Sequence, residues 1–96
     1  MIYDKDNLQV AMIQRFAAPD GCTVLEIGCG EGRLSVMLAR DTRRYIAIDP
    51  DTEAVAKARQ QTGNAEFFIG SGENLPFGDA LFDRVIFILS LHHQNS

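Results

Sequence analysis

The sequence predicts an α/β fold built on a parallel sheet. Three observations carry that prediction: short apolar runs at Thr23–Ile27, Tyr45–Ile48, Phe67–Ile69 and Arg84–Leu91, helical apolar spacing between the first three, and a glycine-rich break after the first. Nearly continuous apolar runs, rich in β-branched residues, are the pattern of strands buried on both faces, as in parallel sheets. Strands that alternate with helices build right-handed βαβ units, whose ligands bind outside the carboxyl ends of the strands.

The elements follow in order along the chain. From Asp6, apolar residues at Leu8, Val10, Met12, Ile13, Phe16 and Ala17 recur at helical spacing, Asp4 or Asp6 can cap the helix, and Pro19-Asp20-Gly21 ends it. Thr23–Ile27 is the first strand. Gly28–Gly32 interrupts regular structure, and Leu34, Val36, Met37 and Leu38 resume helical spacing as far as Asp41-Thr42. Arg43-Arg44 reads as a solvated turn before the second strand, Tyr45–Ile48, which closes at Asp49-Pro50. Thr52–Gln61 reads as a helix because Ala54, Val55 and Ala58 share one side and Gly63 follows its end. Phe67–Ile69 is a third strand. Gly70–Asp83, with its glycines and Pro76, is a crossover with little helix, and Arg84–Leu91 is the fourth strand. No linker or repeat divides the chain, so residues 1–96 form one domain in this reading.

Composition narrows the function. With 46% hydrophobic and 23% charged residues, the 96-residue chain is that of a packed globular protein with one core. Nine Lys and Arg against thirteen Asp and Glu, with the basic residues scattered, leave no positive footprint for a phosphate backbone, so no nucleic-acid partner is expected. The longest apolar stretch, Val85 to Leu91 interrupted by Ser90, is far short of the roughly 20 residues that span a bilayer. No membrane partner is expected either. The N-terminus lacks the basic region and apolar core of a secretory signal, and Cys22 and Cys29 lack the CxxC spacing of a zinc site. The expectation is a cytoplasmic protein with two free thiols and no metal.

The informative stretch is Glu26-Ile27-Gly28-Cys29-Gly30-Glu31-Gly32, between a strand and a helix. Glycines there let the backbone turn sharply and approach a ligand closely. A dinucleotide fingerprint requires G-x-G-x-x-G/A, and counted from Gly28 its third small position is Arg33. Here the third glycine is Gly32, and Glu31 adds negative charge where a pyrophosphate would lie. Asp49 ends the second strand about twenty residues further on, where a carboxylate can accept both hydroxyls of a ribose. It competes with Asp51 for the capping of the following helix. The ligand reads as a nucleoside without a diphosphate.

Taken together, VLEIGCGEGRLS, AIDPD, GSGENLPFGDALFD and RVIFILSLHH resemble the class I S-adenosylmethionine-dependent methyltransferases, over about residues 22–93. The resemblance implies a Rossmann-like sheet of order 3-2-1-4, with the family's later strands missing and an incomplete acceptor pocket. It implies that Glu26 organises the loop and the cofactor's amino group, and that Gly28, Gly30 and Gly32, with Cys29 among them, admit the methionine part. Asp49 would hold the ribose and Pro50 would pack beside the adenine. Ser71 and Gly72 would meet the adenine edge, Ser71 standing where the family usually has an Asp. Ser90, Leu91, His92 and His93 fall where the family faces the transferring methyl group. His92 and His93 are the candidate catalytic residues, with a solvated terminus as the alternative reading, and Cys29 reads as a small apolar filler rather than a reactive thiol, although it stands close to a helix N-terminus, which can lower a thiol pKa.

The expected function is methyl transfer by in-line displacement to a small-molecule acceptor. An NAD-binding module and a nonenzymatic cofactor-binding or interaction module are the alternatives. The fourth strand would lie at a sheet edge with no Lys, Pro or bulge to blunt it, so self-association through that strand or the uncovered sheet face is a further expectation.

Overall fold

A computed structural model of the chain describes residues 19–73 and 82–88. The expected helix over residues 6–17, the crossover from 74 to 81, the end of the fourth strand, and Ser90, His92 and His93 lie outside the described residues. The described elements are β1 (Thr23–Ile27), α1 (Arg33–Leu38), β2 (Arg44–Asp49), α2 (Thr52–Ala58), β3 (Ala65–Ile69) and β4 (Arg84–Phe87). They form a four-stranded, all-parallel sheet in the order β3-β2-β1-β4.

The two central strands carry the core because their apolar residues are continuous rather than alternating. On one face Val24, Tyr45, Ala47, Phe67 and Ile86 pack with Leu38 and Ala39 at the end of α1 and with Val55 and Ala58 of α2. On the other face Leu25, Ile46 and Ile48 form a second cluster, with Ile27, Phe68 and Phe82 at its margin. Among the described residues β4 is the outer strand beside β1, and its Val85 and Phe87 are 51% and 65% exposed. Its entry is held by Asp83, whose carboxylate accepts the Thr23 N–H (2.8 Å) and whose own N–H donates to the Thr23 carbonyl (2.8 Å).

Four boundaries differ from those read from the sequence, each for a visible reason. The second helix region, expected to reach Asp41-Thr42, stops at Leu38. The Thr42 N–H and hydroxyl both donate to the Ala39 carbonyl, and the Asn64 amide donates to the carbonyls of Ala39 (3.1 Å) and Thr42 (3.4 Å). Likewise α2 ends at Ala58 rather than Gln61, as the Gln60 and Gln61 N–H groups turn back onto the carbonyls of Lys57 and Ala58. Arg43 lies in an exposed bend and Arg44 is exposed as well, but Arg44 belongs to β2 rather than to the turn: its guanidinium grips the Glu66 carboxylate with two bonds, at 2.8 and 3.1 Å. Pairing of Tyr45 with Ala65 and of Ile46 with Glu66 extends β3 two residues before Phe67.

Because Asn64 satisfies two carbonyls at the end of the α1 region, Asn64→Ala should lower stability by about 1 kcal/mol, the net worth of such bonds. In a domain of this size that is a fall of about 4–8 °C in Tm on thermal unfolding. An unchanged Tm would show that water replaces the amide without loss.

Candidate functional site

Glu26 is the one acidic residue of β1, and its side chain points to the face covered by the helices, where it is 1% exposed. A buried carboxylate needs donors, and two reach it. The Ser35 hydroxyl of α1 donates to Oε1 at 2.6 Å, and the Tyr45 hydroxyl of β2 donates to the same oxygen at 2.7 Å. The register explains the second: Glu26 pairs with Ala47, so Tyr45, two residues earlier, lies diagonally across on the same face. Oε2 is also buried and accepts no hydrogen bond from the described residues. Burial holds the Glu26 carboxyl above the usual carboxylate range; the two hydroxyls oppose that shift, and the nearby Asp49 charge adds to it.

The chain leaves β1 through the glycine loop. Its first turn is pinned to β2, the Gly28 and Cys29 N–H groups donating to the Ile48 carbonyl at 2.9 and 3.0 Å. All three glycines have positive φ, but their surroundings differ. A Cβ on Gly28 would lie 2.8 Å from the Ile88 carbonyl oxygen, and one on Gly32 would lie 2.7 Å from the Phe67 ring and 3.0 Å from Ala58 Cβ. Gly32 is therefore what allows α1 to begin against β3 and α2. Around Gly30 the corresponding space is open among the described residues. Burial, then the charges of Glu26 and Asp49, push the Cys29 thiol up to about 12, so it stays protonated near neutrality, which disfavours a reactive thiol there.

Asp49, at the end of β2, is not the helix cap. Asp51 is, its Oδ1 accepting the N–H groups of Glu53 (3.0 Å) and Ala54 (3.2 Å). The Asp49 carboxylate instead joins two segments: Oδ2 accepts the Gly30 N–H and Oδ1 accepts the Asp51 N–H, both at 2.9 Å. Its backbone carbonyl accepts the Gly70 N–H at 3.1 Å, which brings the segment carrying Ser71 and Gly72 to the same end of the sheet. There Gly72 lies close to Ile27 and Phe87, where a Cβ would make ordinary contacts at 3.8–3.9 Å. A cavity of about 470 Å³ opens between Glu26 of β1, the loop at Gly28, Gly30 and Glu31, and the α2 region at its cap Asp51, at Ala54 and at Gln61 beyond its end.

The structure thus gathers Glu26, Gly28, Cys29, Gly30, Gly32, Asp49, Pro50, Ser71 and Gly72 at the carboxyl ends of the strands. Sequence reasoning missed Ser35 and Tyr45. The only signal for them was indirect: an acidic residue inside an apolar strand must find donors, but which residues supply them depends on register. Among the described residues no three His, Cys, Asp or Glu side chains converge as a metal site, and no helix is long and apolar enough to cross a membrane.

Compared with known protein families, residues 24–96 match the model of the methyltransferase domain. The chain belongs to this family, the class I S-adenosylmethionine-dependent methyltransferases. It is 31% identical over 82 residues to an uncharacterised methyltransferase of Synechocystis, covering 85% of this chain and 39% of that protein. It is 35% identical over 77 residues to a fatty-acid O-methyltransferase of Mycolicibacterium smegmatis, covering 76% of this chain and 28% of the relative. Among solved structures it is similar to the magnesium protoporphyrin IX methyltransferase of Synechocystis with bound S-adenosylhomocysteine. That match has a TM-score of 0.67 at 26% identity and covers 85% of this chain and 39% of the other. The chain therefore spans well under half the length of these methyltransferases.

The two open questions about the loop separate by substitution. Gly30→Ala should cost about 1–2 kcal/mol, the penalty of a left-handed conformation alone. Gly32→Ala should cost more, since overpacking against Phe67 and Ala58 adds about 1–3 kcal/mol. Denaturant unfolding of both variants measures the difference; equal losses would show that the α1–β3 contact yields freely.

Proposed function

We propose that the protein is an S-adenosylmethionine-dependent methyltransferase acting on a small-molecule acceptor, with the cofactor held at the carboxyl ends of β1 and β2. The observation that carries this reading is Glu26, which borders the cavity beside the glycine loop and whose buried Oε2 has no hydrogen-bond partner among the described residues. A polar atom so placed favours a ligand that brings a donor to it. When bound, S-adenosylmethionine supplies a methyl group on a sulfonium, already activated for in-line displacement.

In this reading the chain's residues bind and orient. Glu26 Oε2 accepts from the amino group of the methionine part, which passes over Gly28, Cys29, Gly30 and Gly32 where Gly30 leaves open space. Each Asp49 oxygen keeps acceptor capacity beyond the one backbone N–H it already receives, enough for the two ribose hydroxyls. Pro50, Ser71 and Gly72 flank the adenine. Charge supports a cationic ligand over a dinucleotide: Glu26, Glu31 and Asp51 line the cavity with Arg33, and Asp49 adjoins them, surroundings that repel a pyrophosphate. The small-molecule acceptor is supported by the names of the relatives, one acting on fatty acids and one on magnesium protoporphyrin IX.

Titration calorimetry with S-adenosylmethionine, S-adenosylhomocysteine and NAD tests the reading. The first two should bind and NAD should not, and Asp49→Ala should weaken them by about 1.5–3 kcal/mol, the range for hydrogen bonds to a charged group. Binding of NAD in preference to both would overturn the proposal, and unchanged affinity in the variant would remove Asp49 from the site.

A further inference from the structure

Ser35 and Tyr45 lie outside every ligand-contact position assigned above, yet both spend their hydroxyls on one atom. A carboxylate offers about four acceptor positions, shared between its two oxygens. Here α1 and β2 converge on Oε1 alone, at 2.6 and 2.7 Å, while Oε2 is left buried and without a described partner. Ser35 and Tyr45 are themselves fully buried, at 0% exposure each, so water does not substitute for either hydroxyl. Rotating the Glu26 carboxylate away from this pose breaks two short bonds at once. Both donors are neutral: burial raises the Tyr45 phenol far above its ordinary value, so it holds its proton and leaves the carboxylate charge uncancelled.

We propose that Ser35 and Tyr45 are positioning residues that clamp Glu26 through Oε1, so that Oε2 is presented, charged and fixed, to the cationic amino group of the cofactor's amino-acid part. The inference rests on the cofactor reading above and extends it to two residues that touch no ligand. Its consequence is selective. The clamp acts only on ligands that carry the amino-acid part and is silent for the nucleoside part, which Asp49 and the residues around Ser71 receive.

The test compares two probes by calorimetry: S-adenosylhomocysteine, which carries the amino group, and 5′-methylthioadenosine, which lacks the amino-acid part. Tyr45→Phe keeps the ring and removes the hydroxyl; Ser35→Ala is the independent second variant, and Ser35→Thr restores a hydroxyl. Each loss variant should weaken S-adenosylhomocysteine about tenfold, the effect of losing one hydrogen bond to a charged group. The affinity of 5′-methylthioadenosine should stay the same, and Ser35→Thr should recover most of the loss. Equal weakening of both probes, or loss of folding by circular dichroism in both variants, would show the hydroxyls to be structural and overturn the proposal. Unchanged affinity for S-adenosylhomocysteine would overturn it as well. If the unsubstituted protein bound neither probe, the cofactor reading itself would fall, an outcome visible before any variant is made.

Discussion

Burying a carboxylate in the middle strands of a parallel sheet is costly unless its oxygens find donors, and Glu26 places that constraint at the centre of this fold. It lies on β1, flanked by β2 and β4, beneath α1. The hydroxyls that answer it come from α1 and β2, so the group that most needs solvation also ties the first helix to the two inner strands. Among the described residues, half of the requirement is left unmet at Oε2. A folded-state carboxyl raised above its ordinary value of about 4.5 binds more protons than the unfolded chain does. Its ionisation therefore costs stability as pH rises from that value through the folded one. A bound cation would offset that cost, which couples occupancy of the cavity to the stability of the sheet.

A second carboxylate organises the periphery of the same site. Asp49 receives the Gly30 N–H with one oxygen and the Asp51 N–H with the other, so the loop after β1 and the entry to α2 share one anchor. The two acids differ in what surrounds them. Glu26 is buried beneath α1 at the edge of the cavity, whereas Asp49 is half-buried at the strand end and is oriented by backbone. One is suited to a fixed charge and the other to neutral hydroxyls.

Much of this was legible in the sequence, for physical reasons that differ by element. β1 and the inner part of β2 could be read because strands buried on both faces are apolar throughout, and the glycine loop because positive φ at alternate residues strongly favours glycine. The strand order followed from the family resemblance and is the order observed. The ends of α1 and α2 were not legible. The apolar spacing stops at Ala39 and Ala58 with only polar residues after each, which does not mark the last turn, and the Asn64 bonds to the carbonyls of Ala39 and Thr42 exist only once the chain returns at residue 64. The place of Arg44 in β2 was not legible because its partner Glu66 lies 22 residues away and meets it only through the β2–β3 register.

The loop glycines show how one motif can serve two demands. Their spacing was read as room for a ligand, yet Gly28 and Gly32 also yield space to Ile88 and to Phe67 with Ala58. Only at Gly30 is the space left open by the described protein itself. The partners of Glu26 were hidden for a related reason: Ser35 and Tyr45 are unremarkable in a helix and a strand, and only the assembled sheet aims both at one oxygen. Glu26 Oε2, buried and without a partner among the described residues, is an acceptor suited to a cation. Carboxyl-carbon NMR titration of Glu26 tests this directly, with and without S-adenosylhomocysteine. The account predicts a midpoint above the ordinary carboxylate range in the free protein that falls when the ligand binds; a midpoint at or below that range, unmoved by ligand, would contradict it.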